Sequence, residues 1–233
     1  MTNSAFAPID NPIFVLGLPR SGTSMVAGVF ELCGAWLGHT ISGGGRENPK
    51  GFFENVYLRE KVVKHILSAC GVDPLGVHSL PRLNQLPNVN GLKQTIADYL
   101  QHEQYEGKQP WLFKDAKLSL LWPIFLQTFP QAKWVIVRRD RDEIIRSCLR
   151  TPFMNQHSKD IVYWQKWAQA YEARLEALKK STQNWREINS AELVSGRLDT
   201  AMEIAIWCRL NWQEEQVQQF IVPQYWHSTN VCH

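Results

Sequence analysis

Residues 13–24 read Ile-Phe-Val-Leu-Gly-Leu-Pro-Arg-Ser-Gly-Thr-Ser (IFVLGLPRSGTS). The apolar run from Ile13 stops at Gly17 and Pro19, which is too short for a helix and marks a buried strand. From Gly22 onward Met25, Val26, Val29, Phe30 and Cys33 recur at helical spacing, and Gly34 supplies a stop. Strand, glycine loop and helix open an α/β domain. In that setting the N–H groups of the loop can cradle phosphate oxygens at the helix N-terminus. Gly17 and Gly22 have the G-x-x-x-x-G spacing of a Walker A loop. Thr23, however, stands where a nucleotide-hydrolysing loop needs lysine, and the positive charge sits instead at Arg20. A tight turn from strand to helix would explain the glycines but not the donors Arg20, Ser21, Thr23 and Ser24 around them.

The same alternation continues along the chain. Apolar runs at 111–113 and 134–137 each lead into charged residues, Lys114-Asp115 and Arg138-Arg139, and then into helical patterns at 118–129 and 142–149. Repeated strand-then-helix units imply a parallel sheet with right-handed crossovers. Residues 39–51 hold four glycines and a proline, and 72–90 read as an irregular connection, so both are surface loops of the kind that carry function. A helix is expected over 91–104. Ser158 is the expected N-cap of a long helix whose Ile161, Trp164, Ala168, Tyr171, Leu175 and Leu178 form a core-facing stripe. Residues 185–189 suit a last strand, and 197–221 read as mostly helical.

Composition narrows the partners. A chain of 233 residues with 44% hydrophobic, 20% charged and 11% aromatic content is expected to form one globular domain over 1–233, after a polar leader at 1–12. Its net charge of +3 is too small for a dedicated nucleic-acid or membrane binder, so an anionic partner must be met locally. Five scattered cysteines without a C-x-x-C pair argue against a zinc site or a disulfide framework and for a reducing compartment. With no signal-peptide pattern and no long apolar run, the expected location is the cytoplasm.

The local charge is at 133–150 (KWVIVRRDRDEIIRSCLR), where six basic residues meet three acidic ones. Arg139 leaves a strand end and Ser147 lies on the second turn of the following helix, so the pair could clamp one phosphate by a planar fork and a hydroxyl. Arg141, Asp142, Arg146 and Arg150 fit an ordinary solvated face. No strand ends in the four apolar residues and aspartate that hold Mg²⁺, which argues against a metal-dependent kinase.

Four features together, PRSGTS after a strand, NPKGFFEN at 48–55, KDAKLSLLWP at 114–123, and an Arg and Ser at 139 and 147, resemble the sulfotransferases that use 3′-phosphoadenosine 5′-phosphosulfate (PAPS). The resemblance is strong over 13–149, continues weakly through 185–194, and is closest to the bacterial-type branch. It implies a P-loop-like three-layer α/β fold, a central parallel sheet flanked by helices. It further implies that Arg20, Ser21, Gly22, Thr23 and Ser24 hold the 5′-phosphosulfate and that Arg139 and Ser147 hold the 3′-phosphate, with no metal. Three features depart from the family pattern: Arg20 stands where many members have lysine, Arg141 where the second motif usually has proline, and the glycine-rich C-terminal motif of the animal cytosolic branch is missing.

Sulfuryl transfer needs an acceptor oxygen in line, cations on the oxygens that gain charge, and a base for the acceptor proton. Arg20 and Lys114 both emerge at the carboxyl edge of the sheet and are the expected electrophilic stabilisers. Glu54, flanked by Phe52 and Phe53, is the expected base, its pKa raised by desolvation. Glu47 and Asp115 are rivals, and Glu54 also suits the first turn of a helix, where a carboxylate opposes the dipole. Ala116 occupies the position of the strand-end histidine that serves some relatives, and His39, His65, His78 and His157 read as ordinary surface histidines. The loops at 39–51, 72–90 and 151–157 are expected to shape the acceptor pocket. Their mixed content fits a small molecule or a carbohydrate equally, with a hydroxyl or an amine as the accepting group. The alternatives are a P-loop nucleotide kinase or hydrolase, and a catalytically silent nucleotide-binding module.

Overall fold

The computed structural model describes residues 9–41 and 48–223. Most of the expected leader, the loop tip 42–47 with Glu47, and Cys232 lie outside these residues. The described cysteines, Cys33, Cys70, Cys148 and Cys208, are free thiols. No helix among the described residues is long and apolar enough to cross a membrane.

Four strands, β1 (Ile13–Gly17), β2 (Leu112–Lys114), β3 (Lys133–Arg138) and β4 (Trp185–Asn189), form a parallel sheet in the order β2-β1-β3-β4. Val15 lies opposite Lys114 of β2 and Val135 of β3, so β1 is central, and every residue in it is buried. Among the described residues ten helices surround the sheet: α1 (Thr23–Leu32), α2 (Lys64–Ala69), α3 (Leu92–His102), α4 (Leu118–Thr128), α5 (Arg141–Arg150), α6 (Pro152–Asn155), α7 (Ile161–Ser181), α8 (Ser190–Val194), α9 (Asp199–Trp207) and α10 (Glu214–Phe220). A π-helical turn, Leu58–Val63, runs into α2.

Successive strand side chains point to opposite faces. Ile13, Val15, Val135 and Val137 therefore pack against Val26, Phe30, Ile204 and Val217 of α1, α9 and α10. Phe14, Leu16, Trp134 and Ile136 pack against residues of α2, α3, α4, α5 and α7, such as Ile66, Ile96, Phe125, Ile145 and Trp164. The result is the parallel α/β sheet expected from the alternation of strand and helix, in the three-layer, P-loop-like architecture that the resemblance implies. Much of the aromatic load sits under β1, where Phe14 meets Trp111, Phe125 and Phe129 edge-on at 5.9, 5.4 and 5.9 Å. Such pairs add to the stabilisation from burial.

Three details differ from the sequence reading. Asp160, not Ser158, caps α7, its carboxylate accepting from Val162 N–H at 2.9 Å, while the Ser158 hydroxyl accepts from Asp160 N–H one step earlier. Both residues can cap, and the entry path of the chain selects the second. The expected 197–221 helix is two, α9 and α10, interrupted where Arg209 takes φ 64°. The 151–157 loop contains the single turn α6, whose first residue is Pro152.

Gly17 ends β1 against the next strand. A Cβ there would meet the backbone oxygen of Val137 at 2.5 Å and Ser21 Oγ at 2.8 Å. Since the backbone contact cannot rotate away, Gly17→Ala is expected to cost about 1–3 kcal/mol in urea denaturation. Unchanged stability would mean that the two strands have room the structure denies them.

Candidate functional site

The loop after β1 is built by backbone conformation. Ser21 N–H donates to Leu18 O at 3.0 Å, Arg20 takes φ 73° and Gly22 takes φ 95° as the N-cap of α1. Gly22 has no Cβ to resist that conformation, whereas Arg20 accepts a strain of about 1–3 kcal/mol. Opening α1 after Gly22 leaves the first-turn N–H groups of Thr23 and Ser24 without intrahelical acceptors, the arrangement that attracts an anion. The Ser24 hydroxyl accepts from Asn48 Nδ2 at 3.0 Å and from Lys114 Nζ at 3.1 Å. Ser21 does not fit the role expected of it. Its Oγ is fully buried beneath the loop with no hydrogen-bond partner, outside the cavity described below, and its N–H is already used by Leu18. The tight turn drives its side chain under Gly17.

The two basic motifs are joined. Arg20 Nε donates to Ser147 Oγ at 3.0 Å, and Arg139 Nη1 donates to Arg20 O at 3.1 Å. Arg139 also pairs through Nε with Glu143 at 2.8 Å, and its side chain is only 6% exposed. Asp140 caps α5 by accepting from Glu143 N–H at 3.0 Å, which sets the helix that carries Ser147. The guanidinium of Arg20 is thus shared with the second motif and not confined to the first. Arg141 pairs with Glu172 of α7 at the surface, as expected for a solvated face.

Lys114 ends β2 as expected but is tied to Glu54. Its Nζ donates to Glu54 Oε1 at 2.8 Å, to Ser24 Oγ at 3.1 Å and to Phe52 O at 3.1 Å. Arg59 Nε lies 2.9 Å from Glu54 Oε2, within ion-pair range but off the hydrogen-bond line. The expected rise in the Glu54 pKa is reversed. Burial pushes it up, but the charges of Lys114 and Lys117, the Lys114 hydrogen bond and the charge of Arg59 together bring it down to about 2. Asp115 is fully buried, its pKa raised by burial against the pull of Lys117, which pairs with its Oδ1 at 2.8 Å. Asp115 does not reach the cavity, so it cannot meet an acceptor.

These groups surround a cavity of about 540 Å³ at the carboxyl edge of the sheet. Arg20, Gly22, Thr23, Ser24, Glu54, Lys114, Arg139 and Ser147 all line it. Lys50, Arg59 and Lys117 line it as well, so among the described residues six cations face one carboxylate, Glu54. The sequence reading passed over these last three cations and Asn48, although Asn48, Lys50 and Lys117 stand inside the phrases NPKGFFEN and KDAKLSLLWP. The loops expected to shape a pocket contribute Ile41, Asn48 to Lys50, Leu75, Val77, Phe153, Gln156 and His157. Met25, Phe53, Val194 and Phe220 line it too, the first two and the last packed on the α1 face of the sheet, with Lys50 Nζ 4.3 Å above the Phe220 ring.

Comparison with known proteins shows the family and the fold. The family model described as "Sulfotransferase family" matches residues 12–214. Among solved structures, sulfotransferase STF9 from Mycobacterium avium aligns with TM-score 0.55 at 17% identity, covering 92% of this chain and 67% of that one. The sulfotransferase domain of the Synechococcus PCC 7002 olefin synthase aligns with TM-score 0.54 at 16% identity, over 89% and 78% of the two chains. Sulfotransferase STF1 from Mycobacterium tuberculosis aligns with TM-score 0.50 at 16% identity, over 92% and 71%. At these identities the structures speak for the fold alone. No curated protein sequence gives a significant match.

Proposed function

We propose, from the premise that this chain belongs to the sulfotransferase family, that it acts as one catalytic domain moving a sulfuryl group from PAPS to a hydroxyl-bearing small molecule. The observation that carries the donor assignment is the link between the two anion motifs, Arg20 Nε to Ser147 Oγ at 3.0 Å. One phosphate loop alone would suit many nucleotides. Two coupled cationic positions suit one with anionic groups at both its 5′ and 3′ ends. The excess of cations around the cavity matches that charge without a metal, because the leaving nucleotide is already a good one.

In this reading Arg20, Gly22, Thr23 and Ser24 hold the 5′ end, Arg139 and Ser147 hold the 3′-phosphate, and Met25, Phe53, Val194 and Phe220 receive the adenine. The acceptor oxygen bonds to sulfur in line as the bond from sulfur to the bridging oxygen of the 5′-phosphate breaks, and the leaving nucleotide keeps that electron pair. Lys114 and Arg20 stabilise its charge, and Glu54 takes the acceptor proton. Glu54 is a weak base while Lys114 sits on it. A phosphosulfate beside Ser24 competes for the Lys114 ammonium, and withdrawing that charge lets burial raise the carboxylate's proton affinity.

Lys114→Met tests this coupling. The substitution removes the largest charge that lowers the Glu54 pKa, so that pKa must rise. Glu54 has to be ionised to act, so activity is lost as pH falls through its pKa. The acid limb of the pH–rate profile is therefore expected to move to higher pH, on top of a lower rate. A limb that stays in place would put the base elsewhere.

The donor itself is tested by melting. A ligand bound only to the native state at about 100 times its Kd adds roughly 2.7 kcal/mol, or about 5–10 °C for a chain of this size. That shift is expected with 3′,5′-diphosphoadenosine in EDTA, and a far smaller one with ATP and Mg²⁺, which offers Arg139 and Ser147 no 3′-phosphate. A larger, metal-dependent shift with ATP would favour a kinase.

A further inference from the structure

We infer that the acceptor is an apolar hydroxy compound, an alcohol or phenol on a hydrocarbon body, and not a carbohydrate or an amine. The inference rests on the donor reading above and concerns the other half of the same cavity. Motifs for the donor follow β1 and β3, whereas β2 lies at the sheet edge. The space left for an acceptor is therefore on the β2 side, near Lys114 and Glu54. Its walls are the 72–80 turn, which presents Leu75 and Val77, and α6 with the residues after it, which present Phe153 and Met154.

Leu75 is 44% exposed and Phe153 40% exposed, one from each wall, and both line this cavity. Large apolar groups left facing a shared cavity call for an apolar occupant. Each polar side chain among them already has at least one partner. Lys117 is held by Asp115, Arg59 by Glu54 and Glu60, Gln156 Nε2 by Phe153 O at 3.1 Å, and His157 Nδ1 lies 2.7 Å from His78 Nε2. A saccharide would bring more hydroxyls than the positions left on these described residues can pair, and unpaired buried polar groups cost affinity. Among the described residues that line the cavity, the one carboxylate an ammonium group would find is Glu54, already flanked by Lys114 and Arg59.

Nor can the turn offer its own backbone. Asp73 accepts from the N–H groups of Leu75, Val77 and His78 at 2.9, 2.8 and 2.9 Å. From α7, Trp167 Nε1 and Tyr171 OH donate to Gly76 O at 2.9 and 3.0 Å, and Tyr163 OH donates to Val77 O at 2.7 Å. Gly76, at φ 71°, is required: a Cβ would come 2.5 Å from Tyr171 OH. With these amides and carbonyls bound from beneath, the turn presents side chains to the cavity, and those are apolar.

The experiment titrates the full-length protein, saturated with 3′,5′-diphosphoadenosine, with 1-naphthol, 1-octanol, maltose and glucosamine by calorimetry. The two apolar alcohols are expected to bind at least about tenfold tighter than either sugar, and Leu75→Asp to weaken them by about tenfold or more while leaving the melting shift with the nucleotide unchanged. Equal or tighter sugar binding, no binding by either alcohol, or an unaffected Leu75→Asp protein overturns the acceptor class and leaves the donor reading standing. Absence of the nucleotide shift itself overturns the donor reading, and this inference with it.

Discussion

Turnover by the Glu54→Gln protein is expected to fall by about 10²- to 10⁴-fold, the range for losing a general base, with donor affinity not reduced. Glutamine keeps the shape of the side chain but cannot take the proton. It also leaves Lys114, a buried cation, without its carboxylate at 2.8 Å. Breaking a buried pair in this way costs about 3–5 kcal/mol in the free protein. An anionic ligand beside Ser24 would restore a partner to Lys114, so the melting shift with 3′,5′-diphosphoadenosine is expected to be larger in the variant than in the parent. Release of that nucleotide during turnover, and its melting shift, are the two measurements. Retained turnover would move the base away from Glu54. Since Asp115 is sealed from the cavity, Glu47 would be the next group to replace.

Arg139→Ala is expected to weaken 3′,5′-diphosphoadenosine binding by roughly 2–4 kcal/mol, about 30- to 1000-fold, as for loss of a charge-assisted contact in a buried site. The structure adds a second consequence. Arg139 also donates to Arg20 O at 3.1 Å and so braces the strained residue of the phosphate loop. Adenosine 5′-phosphate should therefore lose some affinity too, but much less than the 3′-phosphorylated nucleotide. Equal losses, measured by calorimetry, would show that Arg139 acts only by bracing the loop and that the 3′-phosphate is held elsewhere.

What the chain determines locally is legible from the residues alone. The four-residue apolar run before Gly17, the helical spacing from Met25 to Cys33 and the strand–helix alternation depend on neighbours a few positions away, and the sheet and its helices follow from them. Arg20, Gly22, Thr23, Ser24, Lys114 and Arg139 could be named for the same reason, each sitting near a strand end or helix start where the topology brings it to one edge, and Ser147 by its place on the second turn of the helix after Arg139.

Only the tertiary structure decided where those side chains point and in what charge state. The hydrogen bond from Arg20 to Ser147 spans 127 residues and the Lys114–Glu54 pair spans 60, distances over which spacing carries no signal. Ser21 was read as a donor by its place in the motif, but the turn that makes the motif buries it. The aromatic stripe of α7 was legible as core, while the use of its Tyr163, Trp167 and Tyr171 tips on the 72–80 turn was not. Glu54 shows the reason most clearly. The sign of its pKa shift depends on which of two opposing effects is the larger, burial or the surrounding cations. Flanking phenylalanines announce the burial, whereas the cations that outweigh it arrive from β2, the start of α4 and the turn before α2, and only the folded chain brings them within reach.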